Sequence, residues 1–355
     1  MKGEVNTERG ILRGYLFEIV ILELLKKNGF KIVSVNEQSN HLRIRETREG
    51  FIEIRGRGEW HQIDCPCNYI RTIPFSYPIR LIGEVKFYSK PLEKKHVREF
   101  IGVVKDIQEN YFTYDGQDTS LLTKRMVEVG TFFSANGFNE EAERLAYAHG
   151  IKTVSYKNNF LIDRIKQLII NLEEDYLSIN CMKHGNWKIF KEKFREAISN
   201  GHIDAESLNF FDGNYETTIR KLYRSCSLIK SSFIGTTSSC VFIHFVGEEE
   251  FPIELFEHTD RGMCRVFYSI HKQKIQYFWI EIVNDQEERR FYFTPPQGLK
   301  RNDIFSNETM LNEKERLFKE ININILINGI YRNIVLELDQ DWIDALREAR
   351  QYLIH

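Results

Sequence analysis

Residues 11–27 (ILRGYLFEIVILELLKK) are apolar around most of the helical circumference and run into Asn28-Gly29, a good helix stop, so they predict a largely buried helix. A strand candidate, FKIVSV, follows at once. The alternating stretches HLRIRE (41–46) and FIEIRG (51–56) predict paired strands around a Glu49-Gly50 turn, with WHQIDC next. Residues 66–80 carry Pro66, Pro74 and Pro78 and read as a connection. RLIGEVKFY then has the β-branched, apolar character of a central strand. From Leu92 to Tyr111, Val97, Phe100, Ile101, Val104 and Ile107 fall on one helical stripe. The alternation continues with MVEVGTFFS as strand, NEEAERLAYAHG as helix, IKTVSY as strand and FLIDRIKQLIINLEE as helix. Such a pattern predicts an α/β layer architecture, a mixed sheet flanked by helices.

Beyond about residue 182 the pattern changes. A possible helix at Trp187–Ser199 leads into aromatic-rich alternating runs: SCVFIHFVG, FPIELFE, CRVFYSIH, QYFWIEIV, RRFYFTP, ININILI and NIVLEL, closed by an amphipathic helix from Asp341 to about Leu353. These predict a separate β-rich domain. The length of 355 residues agrees with two domains, 1–180 and 181–355. Aromatics alternating along strands mostly fill a core, although base stacking is another use. Recognition, sensing or oligomerisation, including a homodimer, is the expected role of this part.

Composition removes several function classes. With 42% hydrophobic and 28% charged residues the chain is globular rather than disordered. No leader-like apolar run opens it, and no stretch reaches the length needed to span a bilayer, so a cytoplasmic protein without membrane attachment is expected. Six cysteines, one close pair (Cys65 and Cys67) and four scattered, form neither a disulfide framework nor a repeated zinc spacing. The net charge of −2 hides an asymmetry: residues 1–100 hold 18 Lys and Arg against 13 Asp and Glu, and the remainder 31 against 38. A preference for phosphate therefore belongs to the first part, if anywhere.

Phosphodiester hydrolysis needs clustered carboxylates to hold a divalent cation that activates water. Glu84 and Lys86, two apart on a strand, project to one face while Val85 points into the opposite core. Asp64 precedes them by 20 residues, at the end of a short strand. Glu18 has only Gly14, Tyr15, Ile21 and Leu22 at helical spacings of three and four, so its carboxylate sits on an uncharged face and wants compensation. Each has a plain alternative: Glu84 and Lys86 as a surface or cross-strand ion pair, Glu18 paired with Arg13 or a distant Lys, Asp64 capping a turn.

Taken together, RGYLFEIVILELLKKNGFKIV, RGRGEWHQIDC, RLIGEVKFYSKPLEKKHVREFIGVV and GTFFSANGFNEEAERLAYAHGIKTVSY resemble, in order and spacing, the PD-(D/E)xK nucleases, and among them the Mrr-like restriction endonucleases, over about residues 10–160. The resemblance implies a restriction-endonuclease-like mixed sheet and a Mg²⁺-dependent endonuclease acting on DNA, with Mn²⁺ able to substitute, in restriction or bacterial defence. It also implies that Asp64, Glu84 and the Val85 carbonyl ligate the metal, that Glu18 binds it directly or through water, and that Lys86 orients the attacking water. A catalytically inactive nucleic-acid-binding or sensor protein on the same fold is the alternative. Many Mrr-like proteins carry Gln where this chain has Glu84, making this the more acidic variant. Arg57, Lys90, Lys94 and Lys95 are candidate phosphate contacts or solvated charges, and His61 is a phosphate contact or a hydrogen-bonded structural histidine.

Overall fold

A helix apolar on all sides must be enclosed by its neighbours, and α1 (Lys2–Lys27) is: Leu12, Leu16, Phe17, Ile19, Val20, Ile21, Leu24 and Leu25 are all buried. The computed structural model describes residues 2–33, 35, 43–71, 75–110, 126–176, 186–202, 215–271, 274–295, 308–327 and 330–354. Two compact units emerge, one of Met1–Ser155 with Arg164–Cys226, the other of Tyr156–Asp163 with Ser227–His355. The division expected near residue 180 falls outside the described residues. Helix α4 (Phe160–Tyr176) is the run FLIDRIKQLIINLEE read as helix, and α5 (Asn186–Asn200) and α6 (Tyr215–Leu228), assigned from sequence to the second domain or not anticipated, belong to the first unit.

The first unit is built on a five-stranded mixed sheet in the order β1-β5-β6-β7-β8. Its strands are β1 (Phe30–Ile32), β5 (Cys65–Tyr69), β6 (Ile79–Lys86), β7 (Val127–Ser134) and β8 (Lys152–Ser155). Pairing is antiparallel from β1 through β6 and parallel from β6 through β8. The parallel half arises because α2 (Lys94–Glu109) and α3 (Glu140–Ala148) return the chain between successive strands. Val97, Phe100, Val104 and Ile107 of α2 bury the stripe read from the sequence against Ile82, Phe132 and Phe138. Beside this sheet lies a smaller antiparallel one, β2 (Ile44–Glu46), β3 (Ile52–Arg55) and β4 (Trp60–Gln62), with Ile44 opposite Ile54 as the alternation requires.

One expectation is corrected here. The proline-bearing stretch after Asp64 does not begin a connection; Cys65–Tyr69 is an interior strand between β1 and β6. Proline is tolerated because Pro66 lies one residue past the last β1 pair, Ile32 with Cys67, and only its carbonyl is called on, by the Val33 N–H (2.9 Å).

The second unit is a closed seven-stranded barrel, ordered β10-β13-β12-β11-β15-β14-β9. Its strands are β9 (Ser231–Thr237), β10 (Phe242–Gly247), β11 (Arg261–His271), β12 (Lys274–Ile282), β13 (Arg290–Phe293), β14 (Glu320–Ile327) and β15 (Ile330–Leu338). All neighbours are antiparallel except β11 and β15. Phe233, Phe245, Phe291, Phe293 and Phe318 fill the interior with no exposed surface, so these aromatics form a core. Helices α7 (Glu308–Phe318) and α8 (Gln340–Ile354) complete the unit. FPIELFE is not a strand: Ile253–Phe256 is a 3-10 turn, started where Pro252 has no N–H to give to a ladder. Among the described residues no helix is long and apolar enough to cross a membrane.

Inside the barrel unit, the buried His244 ring stands between the Tyr156 hydroxyl at Nδ1 (2.7 Å) and the Ser232 hydroxyl at Nε2 (2.8 Å). Burial pushes its pKa down to about 4. The folded pKa lies below that of the unfolded chain, near 6.5, so the unfolded state takes up the proton first as pH falls. Stability is therefore full above pH 6.5 and declines toward pH 4. In a Trp60→Phe, Trp187→Phe background, which leaves Trp279 and Trp342 as reporters, denaturant unfolding is expected to lose about 2 kcal/mol between pH 7 and pH 5 through this group. His244→Gln should flatten that slope; an unchanged slope would show that the ring's burial is not what sets it.

Candidate active site

The site forms where the sheet changes from antiparallel to parallel. Cys65 of β5 pairs with Gly83 of β6, which brings Asp64, at the bend just before β5, alongside Glu84. The Asp64 Oδ2 accepts the Val85 backbone N–H (2.9 Å) and lies 3.5 Å from the Lys86 Nζ. The same ammonium contacts the Glu84 Oε1, so both carboxylates converge on it. Glu84 and Lys86 are half-buried on one face of the strand, while the Val85 side chain is buried on the other, as a period of two demands. The ion pair weighed as the plain alternative is thus present, with Asp64 as its third member.

Glu18 reaches this group from α1. The ion pair with Arg13 that would have satisfied it is not the one formed, since Arg13 Nε lies 3.5 Å from Glu173. Burial holds the Glu18 carboxyl well above the usual range, and Asp64 adds to this, while Lys86 and Lys191 oppose it. Glu84 is raised to about 7 by burial and then by Asp64, against the pull of Lys86. For Lys86, burial favours the neutral amine, but Asp64 and Glu84 more than offset it and the ammonium is held charged. Three carboxyl groups thus crowd one another's charge, with one ammonium between two of them.

Oxygen donors of this kind suit a hard divalent ion. Among the described residues no group of three or more His, Cys, Asp or Glu side chains is placed to hold a metal ion. The donor set fits such an ion by its chemistry, and the Lys86 ammonium supplies compensation where Asp64 and Glu84 meet.

The remaining sequence candidates have other partners. His61 Nε2 lies 2.7 Å from Asp106 Oδ2, and Asp106 also accepts the Gly58 and Glu59 N–H groups. The ring is therefore part of the clasp that ties the loop before β4 to α2, which favours the structural reading. Arg57 is 3.5 Å from Glu109, Lys94 is 2.8 Å from Glu141 and Lys95 is 3.6 Å from Glu93, all exposed; Lys90 is exposed too. Such surface pairs contribute little to stability, and their cations remain available to solvent. Cys65 and Cys67 are buried in β5, where burial pushes both thiols up, Cys67 to about 12.

Sequence reasoning missed the contribution of α5. A cavity of about 410 Å³ opens beside Glu18 and Asp64, lined by Tyr15 of α1, by Phe51 at the start of β3 and by Lys188, Lys191 and Arg195 of α5. Lys191 is buried, with its Nζ 2.9 Å from the Phe51 ring centroid and 4.8 Å from that of Tyr15. Burial lowers its pKa to about 7, opposed by Glu18. The detectable signal was spacing: 188, 191 and 195 share a helical face, and Phe194 and Ala197 are buried beside it.

No family model matches this chain, and no curated protein does. Among solved structures, the crystal structure of a protein of unknown function, AF1548, is similar at 15% identity, covering 59% of this chain and 95% of that one, with a TM-score of 0.31.

Proposed function

We propose that the first unit is a Mg²⁺-dependent nuclease domain of the PD-(D/E)xK type with a restriction-endonuclease-like fold, cleaving DNA phosphodiester bonds by hydrolysis. The observation that carries this reading is the convergence of Asp64 and Glu84 on the Lys86 ammonium, with Glu18 electrostatically coupled to all three. Asp64, Glu84, the Val85 carbonyl and Glu18 would hold the ion. Bound there, it would polarise water and neutralise charge on the scissile phosphate. Asp64 is pre-set by the Val85 N–H, which fixes one oxygen and leaves the other for a ligand. Lys86, once its carboxylates are engaged elsewhere, is placed to donate to the attacking oxygen and to the charge developing on phosphorus. The parallel strands β6 and β7 end at this site, the usual place for ligands on open α/β sheets.

Supercoiled plasmid incubated with Mg²⁺ or Mn²⁺ and the full chain is expected to be nicked and linearised, and EDTA should prevent it. Because Glu84 must lose a proton to bind an ion, and its pKa is raised to about 7, protons compete with metal below that value. Apparent Mg²⁺ affinity is expected to rise at least about tenfold per pH unit from pH 5.5 toward pH 7, since Glu18, also held above the usual carboxylate range, must lose its proton as well. Salt-sensitive DNA binding without cleavage under any divalent ion would instead favour a nucleic-acid-binding module on the same scaffold.

A further inference from the structure

We infer that the cavity between α1, β3 and α5 receives one nucleoside monophosphate unit of a single-stranded nucleic acid, with α5 as its phosphate clamp. This rests on the phosphodiester reading of the adjoining carboxylates and gives that site a substrate class. Glu18 and Asp64 line the cavity from α1 and the bend before β5, and α5 adds Lys188, Lys191 and Arg195 beside Glu192. Lys188 is held by Glu46 at 2.9 Å, which leaves Lys191 and Arg195 as the cations nearest the interior. The Arg195 guanidinium stands against the Tyr15 hydroxyl, and its buried Nε meets no acceptor among the described residues, a donor that an anionic oxygen would satisfy. A buried donor of this kind is costly unless something accepts from it.

The rest of the lining suits a base. Ile19, Leu22 and Ile52 present apolar surface, while the Phe51 and Tyr15 rings hold the Lys191 ammonium. About 410 Å³ lies within the range of roughly 300–1,000 Å³ typical of small-ligand pockets. A nucleotide released from pairing can enter such a space, whereas a base stacked within a duplex cannot. The helix that supplies the cations lies outside the four segments of residues 10–160 that carry the nuclease resemblance, so this clamp is an added feature of the unit.

The test is binding to the full chain in EDTA, where cleavage cannot interfere. The probes are a single-stranded oligonucleotide carrying one 2-aminopurine, the same label in a blunt duplex, and free 2-aminopurine nucleoside monophosphate. The single strand is expected to bind at least about tenfold more tightly than the duplex. Lys191→Gln and Arg195→Gln should each weaken it about tenfold. Lys191→Gln should also make the slope of log affinity against log salt shallower by about 0.7, the value for one lost phosphate contact on a single strand. Ile32→Trp, on the sheet-edge strand β1, fills the cavity without altering charge and should abolish the 2-aminopurine response. It carries the test if a charge variant fails to fold.

Duplex binding as tight as single-strand binding overturns the inference, as does a response indifferent to Ile32→Trp. Free nucleotide bound as tightly as the strand assigns the cavity to a mononucleotide and overturns the strand assignment. Plasmid cleavage that persists while the strand fails to bind would leave the nuclease reading standing and sink this one. Strand binding without cleavage would do the reverse.

Discussion

Asp64→Asn and Lys86→Met are each expected, on the proposed nuclease reading, to lower plasmid cleavage at least about a thousandfold, since each would remove a charge from the same reacting centre. The two should differ in stability. Asparagine keeps an oxygen for the Val85 N–H and relieves the crowding felt by Glu84 and Glu18, so Asp64→Asn should fold as well as the parent or better. Lys86→Met leaves Asp64 and Glu84 facing each other without their shared ammonium and should cost about 2 kcal/mol, less than a fully buried pair because the lysine side chain retains some exposure. Added Mg²⁺ should then stabilise Lys86→Met more than the parent, because the ion no longer competes with the ammonium. Thermal unfolding with and without Mg²⁺, beside plasmid cleavage, separates these effects. A Lys86→Met protein that cleaves normally would remove the lysine from the reaction.

The parts of the molecule readable from sequence are those whose signal is local. In α1, in the run from β6 through α3, and in the β2–β3 hairpin, apolar spacing is fixed by neighbours a few residues away. The Glu84–Lys86 face follows from the same rule, since a strand period of two needs no tertiary knowledge. The reach of Asp64 to that face depends on β5, which the prolines disguised as a connection.

Elsewhere the deciding contacts are distant. Strand β9 reads as small and polar (SSFIGTT), and it is a strand because Gly235 lets Phe245 and Ile321 approach; a Cβ there would come within 2.8 Å of each. The barrel's closure depends on the parallel pairing of β11 with β15, more than sixty residues apart, which no window of sequence reports. FPIELFE alternates like a strand, yet its proline and the absence of a paired neighbour leave it a turn. Lys191 and Arg195 carry no mark in the sequence beyond their helical spacing. Their place in the cavity depends on α5 packing against α1, a contact between elements about 170 residues apart.

The close approach of β5 to β6 gives a second large effect, at a position with no functional side chain. A Cβ at Gly83 would lie 2.6 Å from the Cys65 Cβ and 2.9 Å from the Cys65 carbonyl oxygen, closer than such atoms can sit, so β5 must move. Cys65 is bonded to Asp64, whose hydrogen bond to the Val85 N–H depends on that register. Gly83→Ala is therefore expected to cost about 2–3 kcal/mol of stability, as overpacking in a tight core does. It should lower cleavage about a hundredfold, the scale expected when a reacting group is displaced by about 1 Å. Gly102→Ala, in α2 with nothing within 4 Å of the added methyl, is the matched control and should stabilise by about 1 kcal/mol. Because half of the clash is with a side chain, Cys65→Gly in the Gly83→Ala chain should recover part of both losses, and a double-mutant cycle measures the coupling. If Gly83→Ala is as stable and active as the parent, the two strands do not meet this closely at the site, and the placement of Asp64 beside Glu84 fails with them.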